Sequence, residues 1–325
     1  ARVVPDALPE PVTVKQLDAP NMAPLGSVVF LDAAARPSVA LIAVDRSLIQ
    51  YDCATRHQEV FGIANVRCVD AFRGTSCAVT SDDSHACVYD LSASHVVSRF
   101  HVGRPAHVRA FDANLCCLSD DGGERVWMWD RRAPRPQPVG SPARLGDTPV
   151  IDCSLRQLAA VSEDKSILLW DTRRLDCPMH VLPAASPDRM PCVAWHPTRF
   201  CTLTIASGTD VHTRADGGPL AHLLRTTHPA VALAWNHHDR STTLFAALTT
   251  GTTSMWTSRH GLKSLGSASH TDVLHADGTI LDLAVSSRYV IGVDTLSEVL
   301  HVGALGRSTV RTKAHDEPWG WRDVR

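Results

Sequence analysis

Seventeen histidines, ten cysteines and a spread of carboxylates give this 325-residue chain the raw material for metal or acid–base chemistry, but their spacing does not assemble it. The one tight pair, His237-His238 beside Asp239, follows Ala234-Trp235-Asn236 and reads as a solvated hairpin loop. Neighbouring loop side chains seldom converge on one ion, and a catalytic zinc wants three ligands and an open fourth position. No Cys-x-x-Cys pair is present, so the strongest zinc spacing is missing. Nucleophilic catalysis needs a Ser, Cys or Thr beside a His that a carboxylate orients, and no Gly-x-Ser-x-Gly elbow marks such a nucleophile. Asp121-Gly122-Gly123-Glu124 fits a turn between strands better than a phosphate cradle. The expectation is therefore no catalytic, metal or cofactor-binding residues, no cofactor, no small-molecule substrate and no enzymatic activity.

Arginine is better placed for recognition than histidine is for catalysis. Trp129-Asp130-Arg131-Arg132 and Trp170-Asp171-Thr172-Arg173-Arg174 each run from an apolar segment into paired arginines. A guanidinium fork can take a partner carboxylate with two hydrogen bonds, although an exposed arginine pair is more often a solvated edge. Arg131 to Arg144 is rich in Pro and Arg and reads as an exposed extended loop, able to meet an acidic partner or RNA phosphate, with a plain connector as the simpler reading. The tail Glu317-Pro318-Trp319-Gly320-Trp321-Arg322 carries two tryptophans. Aromatics of this kind anchor interfaces, and they can equally pack back on their own domain. Arg131, Arg132, Arg173, Arg174, Trp319 and Trp321 are the candidate partner-binding residues.

Composition sets the frame for these candidates. Apolar residues make up 44% of the chain and charged residues 20%, enough for an extended core in an ordinary folded domain. A formal charge of −2 gives no global electrostatic reason for a nucleic-acid or membrane partner, and leaves a local basic patch as the only route to RNA. No apolar stretch approaches a membrane span, and Ala1 to Glu10 shows neither a charged nor an apolar leader region. Most cysteines sit inside apolar runs: Cys68, Cys77, Cys87, Cys116, Cys117, Cys153, Cys192 and Cys201. Buried thiols behave as small hydrophobes, so the chain is expected to work inside the cell, in cytoplasm or nucleus, and not to be secreted.

The elements that position the arginines come from an internal repeat. Four apolar runs end in an aromatic and Asp, at Tyr51-Asp52, Tyr89-Asp90, Trp129-Asp130 and Trp170-Asp171, and the four Asp positions are 38, 40 and 41 residues apart. Upstream of each lies a short strand of small and β-branched residues and then a polar turn. In the second unit these are Ser76 to Thr80 and Ser81-Asp82-Asp83-Ser84; in the fourth they are Leu158 to Ser162 and Glu163-Asp164-Lys165-Ser166. Asp closes such turns by accepting hydrogen bonds from its own backbone. Weaker units follow around Cys192 to Asp216, Val231 to Thr257 and Thr279 to Val302. Frequent turn signals, alternating texture and the lack of long helical periods point to strands throughout.

This period and grammar resemble the WD-repeat family, whose repeats each supply a four-stranded antiparallel blade around a central channel. The resemblance implies an all-β fold, a seven-bladed propeller over residues 25–310, with 1–24 as an N-terminal segment and 311–325 as a tail. Val12 to Leu17 is favoured as the strand that closes the ring, with Ser308 to Lys313 as its rival. In that family a turn Asp, a strand Ser or Thr, the signature Trp and a preceding His form a hydrogen-bonded set. The fourth unit offers Ser162, Asp164 and Trp170 without a His, and the seventh offers His275-Ala276-Asp277-Gly278 without a Trp. Asp52, Asp90, Trp129, Asp130, Ser162, Asp164, Trp170 and Asp171 are accordingly the expected blade-signature residues. The family implies a non-catalytic scaffold within a larger eukaryotic multiprotein complex, with other proteins as partners and no membrane partner. One alternative is a subunit of an RNA-processing particle. Another is a substrate receptor of a cullin ubiquitin ligase, since Trp170 to Arg173 matches the Trp-Asp-x-Arg docking pattern, although Val161 and Glu163 depart from its upstream small residues.

Overall fold

The computed structural model describes residues 12–14, 27–31, 38–44, 46–72, 75–82, 84–102, 105–110, 112–120, 126–133, 135–139, 151–154, 156–183, 189–196, 199, 201–215, 218–238, 241–258, 265, 270–276, 278–286, 288–294 and 300–304. Within them the chain turns back on itself at nearly every polar cluster, and consecutive strands pair antiparallel.

Six sheets are each built from four consecutive strands. The first contains β2 (Ser27–Phe30), β3 (Val39–Val44), β4 (Arg46–Asp52) and β5 (His57–Val66), and the second β6 (Cys68–Ala71), β7 (Cys77–Ser81), β8 (His85–Asp90) and β9 (His95–His101). The third contains β10 (Pro105–Ala110), β11 (Leu115–Asp120), β12 (Val126–Asp130) and β13 (Gln137–Val139), and the fourth β14 (Ile151–Cys153), β15 (Gln157–Val161), β16 (Ile167–Asp171) and β17 (His180–Leu182). The fifth contains β18 (Cys192–Trp195), β19 (Thr202–Ser207), β20 (Asp210–Ala215) and β21 (Ala221–Arg225), and the sixth β22 (Ala230–His238), β23 (Ser241–Leu248), β24 (Thr252–Ser258) and β25 (His270–His275).

The last sheet is composite. The repeat that begins at β26 (Ile280–Val285) adds only β27 (Tyr289–Asp294) and β28 (Leu300–Ala304), and the three-residue β1 (Val12–Val14) completes it. Val12, Thr13 and Val14 lie opposite Val302, His301 and Leu300. Seven equivalent blades within residues 25–310 are thus corrected to six self-contained blades and one smaller sheet shared by the two ends of the chain. Ring closure is the physical reason. If the last repeat made its own fourth strand, the first and last sheets would meet through side chains alone, whereas a shared sheet joins the ends through main-chain pairing. The rival segment Ser308 to Lys313 lies outside the described residues.

The first strands of successive sheets adjoin one another in chain order, and β26 returns to β2, so the sheets form a closed ring. Side-chain burial follows from that packing. Each sheet is flanked on both faces, so the second strands are buried: β7 and β19 are buried at every position, their threonines and serines included. Radial widening makes the outer strands the wettest: β9 is exposed or half-exposed along its whole length, and β21 and β25 bury only two residues each. The alternating texture read from the sequence therefore gives way to a gradient from axis to rim. The core is a set of wedges between neighbouring sheets. Trp170 packs with Cys117, Met128, Leu158 and Ala160 between the third and fourth sheets, while Trp129 packs with Val79, Val88 and Leu118 between the second and third.

Two loop readings also change. Gln137–Val139, inside the Pro/Arg-rich stretch, is an outer strand paired with Val126, Trp127 and Met128. His237 and His238 are the last residues of β22, opposite Thr242 and Ser241, and so belong to a strand.

Candidate interaction face and the inner-strand carboxylates

The repeated Asp after each signature aromatic has one structural job. Its carboxylate accepts the backbone N–H two residues on, closing the turn between third and fourth strands. The distances are 2.9 Å from Ala54 N to Asp52, 2.9 Å from Ser92 N to Asp90, 3.0 Å from Arg132 N to Asp130 and 2.9 Å from Arg173 N to Asp171. Short polar side chains stabilise turns in this way. The aromatics before them point into the wedges, and Trp129 and Trp170 are buried. In the fourth sheet Ser162 donates to Asp164 and also, at 2.9 Å, to the Ser166 carbonyl. At matching places in other sheets, the hydroxyls of Ser81, Ser119 and Ser207 are buried without a hydrogen-bond partner among the described residues.

Four arginines of the two Trp-Asp segments lie on one face, because both turns join third to fourth strands of adjacent sheets. Their environments differ. Arg131 reaches across to the second sheet, with its guanidinium 5.5 Å from the Phe72 ring centre and its Nε donating to Asn114 at 3.1 Å. Arg132 and Arg173 instead turn back on their own Asp: Nη2 lies 2.6 Å from Asp130 Oδ2 and 2.6 Å from Asp171 Oδ2, with Nε on the same carboxylates. The Arg173 side chain remains 73% exposed. Its hydrogen bonds hold the Asp171 carboxyl down to about 2, and Arg132 lowers Asp130 likewise. Arg174 lies 3.7 Å from Asp176. Arg144, Trp319 and Trp321 are outside the described residues.

A second polar set escaped the sequence reading. Asp70, Asp152 and Asp282 stand on the innermost strands β6, β14 and β26, and each accepts a backbone N–H from the next sheet in the ring. Asp70 Oδ2 takes Ala110 N at 2.9 Å, Asp152 Oδ2 takes Trp195 N at 2.8 Å, and Asp282 Oδ2 takes Val28 N at 3.0 Å. The Trp195 indole also donates to the Asp152 carbonyl at 3.1 Å. Arg109 on β10 lies 3.7 Å from Asp282. Burial works against its charge, but Asp282 and Asp70 hold the guanidinium above the ordinary arginine value. Burial also pushes Asp70 up to about 6, against the pull of Arg109 and of its two amide donors. The available signal was a lone Asp between apolar residues in the first strand of a unit, as in Val69-Asp70-Ala71 and Leu281-Asp282-Leu283. These carboxylates sew sheets together and offer no nucleophile–base pair.

No group of three or more His, Cys, Asp or Glu side chains among the described residues is arranged to hold a metal. No helix among them is long and apolar enough to cross a membrane.

A closed ring of four-stranded antiparallel sheets with Asp-closed outer turns defines a β-propeller. No family model matches the chain, and no curated protein matches its sequence. Among solved structures, a chain of the "Crystal Structure of Mitotic Checkpoint Complex" is similar, with a TM-score of 0.70 and 15% identity over 93% of this chain and 97% of that one. At that identity the likeness establishes the fold alone.

Proposed function

We propose that this chain is a non-catalytic protein-interaction scaffold, a WD-repeat subunit of a larger multiprotein complex. The observation that carries the reading is the use of the polar groups. The buried carboxylates Asp70, Asp152 and Asp282 are tied to neighbouring sheets, the signature carboxylates close turns, and the exposed side chains include arginines and aliphatic groups suited to recognition. A ring stitched in this way is stiff, so it can hold several partners at fixed mutual distances. The similar solved chain comes from a structure titled as a complex, which is consistent with such a role. The described cysteines form no disulfide and all but Cys177 are buried, in keeping with work in the cytoplasm or nucleus.

An RNA-associated role is the second reading, favoured by the placement of Arg131, Arg132, Arg173 and Arg174 on one face. Against it, Arg131 is engaged by Phe72 and Asn114, and Asp130, Asp171 and Asp176 interrupt the positive strip. Docking to a ubiquitin-ligase adaptor would also use this face, and predicts loss of adaptor binding on Arg173→Ala with folding intact. Affinity purification of the tagged chain from its own cells, with and without nuclease, separates the first two readings. Protein partners that survive nuclease are expected; partners lost on nuclease treatment would move the assignment to RNA.

A further inference from the structure

We infer that Arg109 is a brace across the central channel: it ties the third sheet to the last one and so holds the ring shut at the seam between its first and last sheets. That seam is where a hold matters. At every other seam the chain runs straight from one sheet into the next, whereas the last sheet is joined to the first through the three-residue β1.

Placement in the ring is the first observation. Arg109 stands on β10 and Asp282 on β26, with the first and second sheets between them on one side and the fourth, fifth and sixth on the other. Arg109 Nη2 nevertheless lies 3.7 Å from Asp282 Oδ1. Innermost strands so far apart around a ring can meet only through its channel. Both side chains keep part of their surface open, 28% for Arg109 and 17% for Asp282, and the open side of an innermost strand is the channel.

What each end of the pair holds is the second observation. Asp282 Oδ2 accepts Val28 N of the first sheet at 3.0 Å, while Oδ1 faces Arg109 and accepts Leu283 N at 2.9 Å. One carboxylate thus grips the closing seam with one oxygen and the brace with the other. Arg109 also has nearer carboxylates. Asp70, Arg109 and Asp152 lie opposite Val79, Cys117 and Ala159, the third residue of the second strand in each of three successive sheets. Asp70 already accepts Ala71 N at 2.8 Å and Ala110 N at 2.9 Å, and Asp152 accepts Trp195 N at 2.8 Å. Burial works against the Arg109 charge, and Asp282 supports that charge more than Asp70 or Asp152 does, although it stands across the channel. Opening the seam moves Asp282 away from Arg109, and separating a partly desolvated pair leaves two uncompensated charges between low-dielectric walls.

The chain carries its own reporters of such opening. Cys53 is buried in the wedge between first and last sheets with Val28, Ala284 and Tyr289, and Cys192 in the wedge between fifth and sixth with Leu224 and Leu244. Burial pushes both thiols up to about 12, so each reacts when its wedge opens. Cys177 is exposed and serves as the reference.

The test is alkylation of the full native chain with iodoacetamide, followed residue by residue by mass spectrometry. Labelling of Cys53 is expected to accelerate at least about tenfold in Arg109→Met and in Asp282→Asn, with no further gain in the double variant, because loss of either partner releases the same opening. Cys192 is expected to change by less than about twofold, because its wedge is remote from the seam. Arg109→Met also leaves three carboxylates facing one another, so Arg109→Met/Asp70→Asn removes one of those charges without restoring the brace, and Cys53 should stay fast. Asp282→Asn keeps an acceptor for Val28 N, and it carries the test alone if Arg109→Met does not fold. An unchanged Cys53 rate would overturn the inference. So would an equal acceleration at Cys192, which means general loosening, or recovery of the wild-type rate in Arg109→Met/Asp70→Asn, which means that Arg109 only balances charge.

Discussion

Adjacent residues of one type do different work here, and the difference is testable. Arg131 bridges two sheets through Phe72 and Asn114, whereas Arg132 is 67% exposed and pairs with its own Asp130. Arg131→Ala is expected to destabilise the fold by about 1 kcal/mol, the scale of a partly buried cation–π contact, and Arg132→Ala to leave the melting temperature unchanged. Glycine is required at Gly251, where φ is +80° and an added Cβ would lie 2.3 Å from the Ala276 carbonyl oxygen. Gly251→Ala should cost about 2–3 kcal/mol in a denaturant titration, as strain at a left-handed position combines with a backbone clash. Asp70 gives a pH signature. Its folded carboxyl is raised to about 6 from 3.8, so its contribution to stability is full below pH about 4 and is lost as pH rises through about 6. Denaturant midpoints measured between pH about 4 and about 7 should therefore shift in favour of Asp70→Asn, relative to wild type, as pH increases. An unchanged difference across that window would contradict the assignment.

At the level of elements, the sequence signals were strongest where a strand ends in an aromatic and Asp, because that pair marks both a buried wedge residue and a turn. Tyr89-Asp90, Trp129-Asp130 and Trp170-Asp171 are all of this kind, and the strands before them were evident. The short outer strands were not. Gln137–Val139 contains Pro138 and only three residues; an outer strand pairs on one side only, so a missing N–H on its free edge costs little, and the composition looks like a loop. Asp70, Asp152 and Asp282 were overlooked for a related reason. Their partners are backbone amides about 40 residues away or, for Val28, 254 residues away, and no local pattern records such a partner. The arginine face shows the same division: the residues were named from sequence, but only the topology brings turns of different sheets to one side.

For the whole molecule, closure decides whether the disc behaves as one unit. Removing residues 1–14 deletes β1 and leaves β28 with an unpaired edge. That variant is expected to melt at least roughly 5 °C lower and to self-associate through the exposed strand, as read by calorimetry and by light scattering. Melting that matches the full chain would show that β1 contributes nothing to the stability of the ring. A closed ring is also what lets a scaffold hold partners without being remodelled by them, so the scaffold role depends on the integrity of the disc. The most direct measurement is quantitative mass spectrometry of complexes purified from cells expressing the tagged chain, with and without nuclease. The account predicts a stable set of protein partners that survives nuclease treatment. Partners that disappear on nuclease treatment, or no partner above background, would contradict it.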